Sequence, residues 1–292
     1  MALNNLSDKT PGTPLAVMLL LGSAALWSTG GVLIKWIDWN PMAITGVRSA
    51  IASVVLLTFI GKPKITWSFA QLGGALSFTV TVFLFVSAIK LTTAANAVLL
   101  HYTTPIYTAL FSSWFLKERT SPYDWLATAV VVGGVALFFF DKLEARGLWG
   151  NIMAISSGFT WAWLALFLRK QKSGSPFESI LLGHWLTFII GIPFMFRGGP
   201  SVQGWVGLAL LGIFQLGISY VMYAYAIRKV KAIEAILIFA IEPVLNPILV
   251  FIIIGEMPGK MALFGAVIVL GAVTVRSIFH IKRGNVDSED KP

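Results

Sequence analysis

Cysteine is absent from all 292 residues. That excludes disulfides and every metal centre or cluster held by thiolates. Charge is almost as scarce. Asp, Glu, Lys and Arg together make up 12% of the chain, against about 25% in an ordinary soluble domain. Long polar connections are missing too, so no soluble catalytic domain fits between the apolar runs. There is no Walker-type glycine loop, so ATP drive is not encoded here. No group of His, Asp and Glu has metal-ligand spacing, and no cofactor is expected.

What remains is apolar: 57% of the residues are hydrophobic. A bilayer crossing takes about 20 such residues. Ten runs qualify: 15–35, 41–60, 69–89, 93–115, 123–140, 148–168, 177–196, 204–226, 232–254 and 260–280. They are continuous rather than alternating, which points to helices and not to barrel strands. The expected fold is an all-α integral membrane protein with ten transmembrane helices. The candidate cleavage site Gly22-Ser23-Ala24 is read as part of the first span, because Trp27 and Lys35 have counterparts in Trp161 and Arg169.

The net charge of +9 is a topology signal rather than a nucleic-acid patch. With the N-terminus in the cytoplasm, Lys9, Lys62, Lys64, Lys117, Arg119, Arg169, Lys170, Lys172, Arg228, Lys229, Lys231, Lys282, Arg283 and Lys291 fall inside. Lys35, Lys90, Lys142, Arg146, Arg197 and Lys260 fall outside. That is 14 against 6, with Arg48 and Arg276 within spans. The positive-inside bias then places both termini in the cytoplasm and the chain in the inner membrane.

The chain also repeats itself. At a constant offset of 138, Ala88 pairs with Ala226, Ile89 with Ile227, Lys90 with Arg228, Ala97 with Ala235, Pro105 with Pro243, Glu118 with Glu256 and Gly133 with Gly271. The units are 15–140 and 148–280, five spans each. An odd number of spans makes the second unit enter from the opposite side, which gives inverted repeats. Such pairs place a substrate near the midplane, where the halves meet.

The segments FLKERTSPYDWLATAVVVGGVAL (115–137) and IIIGEMPGKMALFGAVIVLGAVTV (252–275) resemble the end of the EamA repeat. In that repeat a glutamate at a helix end precedes a short polar turn and a glycine-punctuated span. The pair of units is similar to the drug/metabolite transporter superfamily, most of all to its bacterial exporters of aromatic and other neutral amino acids. The resemblance implies ten helices, inverted 5+5 repeats, a central cavity and export of a small-molecule substrate. It leaves exporters of organic cations or drugs as the alternative. An integral membrane enzyme would need a catalytic cluster near one face, and a channel would need a continuous polar stripe; neither is visible.

Ionisable and aromatic residues inside the spans are the candidates for binding. Glu242 lies midway along span nine in the run Glu242-Pro243-Val244-Leu245-Asn246-Pro247. Pro243 and Pro247 remove backbone donors from the carbonyls of Phe239 and Pro243, and Pro105 does the same to His101. Freed carbonyls with a carboxylate suit an ammonium group; the competing reading is a plain kink. His101 either relays a proton or packs, and Tyr102 stands beside it. Phe78, Phe85, Trp163, Tyr220 and Tyr223 are expected to line a cavity, with Trp161 next to the favoured Trp163. Arg48 is read as reaching outward from span two. Glu118 and Glu256 are read as structural helix-end residues.

Overall fold

A computed structural model of the chain describes residues 12–92, 94–139, 147–171, 176–196 and 198–245, with 260–261, 264–265, 267–272 and 275. Every regular element among them is helical. Six continuous stretches are long and apolar enough to cross a bilayer: Pro14–Ile34, Pro41–Ile60, Phe69–Leu91, Leu148–Lys170, Pro176–Met195 and Val202–Ala226. Between 44% and 56% of each is buried against the protein. The remaining apolar surface, including Met18, Phe69, Leu76 and Trp114, is what a helix presents to lipid rather than to water.

Local chemistry sets the ends. α1 (Thr13–Trp27) and α2 (Gly30–Trp36) follow each other closely. α3 (Pro41–Ile60) starts at Asn40, whose side chain accepts from the Met42 amide, with Pro41 as the first helical residue. α4 (Phe69–Leu91) starts at Ser68, which caps Gln71. The Gln71 carboxamide in turn holds the Thr66 and Trp67 amides at 2.9 and 3.0 Å, fixing Trp67 at a positive φ of 52°.

The span expected at 93–115 is not one helix. α5 (Ala94–His101) stops, Tyr102 and Thr103 form a turn, and α6 (Thr104–Phe111) restarts before a π-helical segment, Ser112–Leu116. α7 (Pro122–Phe139), α8 (Leu148–Lys170) and α9 (Pro176–Met195) are continuous. α10 (Val202–Leu210) runs through a π-helical segment, Leu211–Ile218, into α11 (Ser219–Ala226). α12 (Ala232–Phe239) ends at a turn over Ala240 and Ile241, and helix resumes at Glu242. The competing reading of a plain kink in a continuous helix therefore does not hold at Pro105 or Pro243. Pro105 and Pro243 each occupy the second residue of a restarted helix, where a missing N–H matters least.

The packing pairs are exchanged when the two units are exchanged. α4 lies on α8, as α11 lies on α1; α5 lies on α8, as α12 lies on α1. The pair α3 with α9 is its own counterpart. Contacts between connections also sort these into two faces. On one, the Lys64 amide donates to Glu178 and Gln171 donates to the Ala70 carbonyl. On the other, Lys90 donates to the Ile37 carbonyl, Trp39 to Gly198, and Thr92 to Asn151.

Candidate functional site

The broken elements converge on one central cavity of about 60 Å³, enough for a few waters. The first unit supplies Trp27 from the end of α1, Arg48 from α3, Thr81, Val82 and Phe85 from α4, and His101 with Tyr102 at the break after α5. The second supplies Trp161 from α8, Gln215 and Leu216 from the π-helical segment, Tyr220 from α11, and Phe239 with Glu242 across the break after α12. The larger hollows, of about 320 and 330 Å³, are lined by apolar side chains with a threonine or tyrosine and no charged group.

The walls are aromatic. The Trp27 ring sits 4.5 Å from Phe239, 5.0 Å from Trp161 and 5.1 Å from Tyr220, mostly tilted or edge-on. Such geometry favours pairing of ring edges with faces over stacking. On the opposite wall the Phe85 ring lies 4.7 Å from His101.

The His101 and Phe239 carbonyls, which lose their helical donors to proline, each lie within hydrogen-bond reach of a hydroxyl, by different means. In the first unit, Thr104 Oγ1 donates back to the His101 carbonyl at 2.6 Å. In the second, the Phe239 carbonyl lies 2.9 Å from the Tyr102 phenol oxygen, which belongs to the other unit. That oxygen is also 2.6 Å from Glu242 Oε2. Thr104 and Glu242 are the same position of the repeat, 138 residues apart. One unit places there a hydroxyl shared between its own His101 carbonyl and the Gly158 carbonyl of the other unit, 3.0 Å away; the other places a carboxylate that meets a phenol of the first.

A phenol carries one proton, yet Tyr102 faces two acceptors. With Glu242 ionised, the proton goes to the carboxylate. With Glu242 protonated, the carboxyl O–H donates to Tyr102, and Tyr102 donates to Phe239. The triad can thus exchange a proton for another donor, such as an ammonium group, without leaving the buried pair empty.

His101 Nδ1 lies 2.8 Å from Ser157 Oγ. That hydroxyl already donates to the Ala154 carbonyl at 2.7 Å, so Nδ1–H is the donor and a neutral His101 keeps Nε2 as an acceptor. Close approach to α8 depends on Gly158: a Cβ there would stand 2.5 Å from the His101 carbonyl oxygen.

Of the residues expected from the sequence, His101, Tyr102, Phe85, Tyr220 and Glu242 line the cavity. Phe78 and Tyr223 stand behind it. Phe78 packs on His184 and Tyr220 at 4.4 and 5.1 Å, and Tyr223 is fully buried with its hydroxyl unpartnered. Trp163 points elsewhere, into a cluster with Phe111 and Phe115. Two helical residues turn the chain by about 200°, so Trp161 occupies the wall that Trp163 was expected to line. Asn246 and Pro247 lie outside the described residues, as does Glu256. Arg48 does not reach outward. It is 2% exposed, lines the cavity, and donates to Gln215 Oε1 at 3.4 Å. Its burial, Gln215 and the role of Trp27 were not foreseen.

Near one face, Arg169 at the end of α8 donates through Nε to Glu118 Oε1 at 2.8 Å. Its Nη1 reaches the carbonyls of Ile227 and Arg228 at 3.2 and 2.8 Å. Glu118 follows Lys117, whose left-handed backbone (φ 57°) turns the chain after the π-helical segment. The bridge joins the first unit to the second.

Comparison with known proteins gives a coherent picture. The profile of the EamA-like transporter family matches twice, over residues 14–140 and 148–278. An uncharacterized transporter of Archaeoglobus fulgidus is 26% identical, covering 87% of this chain and 93% of its own. The threonine/homoserine exporter RhtA of Escherichia coli is 24% identical, covering 94% and 96%. Human solute carrier family 35 member G1 is 29% identical over 63% of this chain and 55% of its own. A protein of known crystal structure superposes with a TM-score of 0.78 at 18% identity, covering 91% of this chain and 98% of its own; at that identity the likeness speaks for the fold.

Proposed function

Because the chain belongs to the EamA-like transporter family, we propose that it is a secondary transporter exporting small neutral metabolites, neutral or aromatic amino acids first among them. It works by alternating access between two inverted five-helix units, 15–140 and 148–280, in the inner membrane. The observation that carries this reading is the central cavity built by broken helices of both units, with one guanidinium, one carboxylate and aromatic walls. A site shared by both halves is where rocking of one against the other changes its access. The likeness to a threonine/homoserine exporter supports amino acids as the substrate class.

Ten helices with both termini cytoplasmic accord with the 14-to-6 distribution of Lys and Arg and with the two sets of contacting connections. On that orientation the Glu118–Arg169 bridge seals the cytoplasmic side. Within the proposed transport cycle, Glu242 and Tyr102 receive the ammonium group or a proton, His101 Nε2 accepts a hydrogen bond, and Pro105 and Pro243 start the moving half-helices.

Organic cations are the second reading, favoured by Glu242 among aromatic faces and opposed by Arg48 in the same cavity. Purified protein in liposomes decides. Preloaded threonine, homoserine, phenylalanine or tryptophan should drive saturable counterflow of the labelled amino acid. Non-saturable leak, or counterflow of quaternary ammonium ions with no amino acid active, would overturn the amino-acid reading.

A further inference from the structure

Arg48 is a buried cation without an anion. It is 2% exposed. Its one hydrogen bond, to neutral Gln215, is long at 3.4 Å, and its Nε has no partner. Among the described residues the ion pair within 4.0 Å joins Arg169 to Glu118, so Arg48 pairs with neither Glu242 nor any other described carboxylate. A guanidinium held so far from water strongly favours a planar anion that takes two of its N–H groups. A buried polar atom left unsatisfied calls for an explanation, and an ionisable one inside a membrane protein points to function.

The surroundings leave Arg48 uncompensated. Gln215 lies in the π-helical segment and packs on Gly30, where a Cβ would come within 2.9 Å of Gln215 Nε2. An acidic residue in place of Gln215 would neutralise Arg48 internally; the carboxamide orients it and leaves its charge free. Glu242 lines the same cavity from the other unit. The two charges sum to zero but do not meet.

We propose that Arg48 and Glu242 are the two poles of the substrate site. Arg48 takes a carboxylate and Glu242, with Tyr102, takes an ammonium group, so the substrate is a zwitterion carrying both groups unmodified. This rests on the transport reading above and narrows it: amines, amides and N-acylated acids of the same side chain are poor ligands. Removing either pole leaves the opposite charge buried and unpaired, which is the strongest basis for rejection available to a site.

The test is competition in liposome counterflow of labelled threonine and phenylalanine. The unlabelled amino acids should compete. Threoninamide, phenethylamine and N-acetylphenylalanine should each compete about 10- to 150-fold more weakly, the range set by one lost charged hydrogen bond. Arg48→Gln should abolish the discrimination between acid and amide, and Arg48→Lys should restore part of it. The wild-type competition series stands alone if Arg48→Gln fails to fold. Counterflow of amino acids with equal competition by amide and amine would refute the two-pole site and leave amino-acid transport standing. Absence of any amino-acid counterflow would remove both.

Discussion

Tyr102→Phe deletes one oxygen that two acceptors share. The phenol is 5% exposed and stands 2.9 Å from the Phe239 carbonyl and 2.6 Å from Glu242 Oε2. Pro243 has no N–H with which to replace it. Leaving one buried acceptor unmade costs about 1–3 kcal/mol. Glu242 also loses a partner, although the adjoining cavity gives a carboxylate access to water. We expect Tyr102→Phe to destabilise the folded protein in detergent by about 1–3 kcal/mol. Glu242→Gln keeps the shape and removes the charge. If the three groups act as one network, the double variant should depart from additivity by at least about 0.5 kcal/mol. Equilibrium unfolding followed by tryptophan fluorescence supplies both quantities. Counterflow should fall in both single variants. A Tyr102→Phe protein as stable as wild type, with additive behaviour in the double variant, would refute the bridge between the units.

Three further outcomes follow. Reporter fusions after Pro292 should read cytoplasmic and fusions at Lys90 should read external; a reversed pair would refute the orientation. Pro243→Ala adds an N–H that competes with Tyr102 for the Phe239 carbonyl, so turnover per folded molecule should drop more than folded yield, as measured on purified protein in liposomes. Arg169→Lys should loosen the bridge that spans the units and lower the internal substrate concentration giving half-maximal export; an unchanged or higher value counts against a seal at that place.

The sequence made the spans legible because their signal is additive: some twenty apolar residues outweigh any one exception. The distribution of Lys and Arg works by the same kind of sum, and the reporter fusions above are what test it. The breaks were less so. Pro105 and Pro243 mark interruption, but a kink and a restarted helix differ only in where the preceding carbonyls find donors. Phe239 finds Tyr102, 137 residues away, and no local pattern encodes that. Trp161 and Trp163 posed another limit. A helix apolar on all sides carries no periodicity to say which side turns inward, so two tryptophans two residues apart were equivalent until α8 was packed. Arg48 stood about 10 Å from a predicted span end, near enough to reach water; what held it inward was Gln215, in a distant span.

The bridge between Glu118 and Arg169 has a consequence for how readily the carrier fires. The repeat supplies a matching pair of positions, Glu256 and Lys35, so the glutamate is retained while arginine gives way to lysine. An arginine fork can hold a carboxylate and two carbonyls at once, as Arg169 does; a single ammonium has to divide three donors among them. In a two-state carrier, a contact that is stronger on one side than its counterpart on the other biases the equilibrium, by tenfold for every 1.4 kcal/mol or so. On the orientation proposed above, with the arginine bridge closing the cytoplasmic side, the empty carrier is expected to rest facing away from the compartment it must load from. Its apparent affinity for internal substrate is then weakened by the fraction of molecules that face inward. A carrier biased in that way would work as an overflow valve, quiet at ordinary concentrations and opening when the solute accumulates.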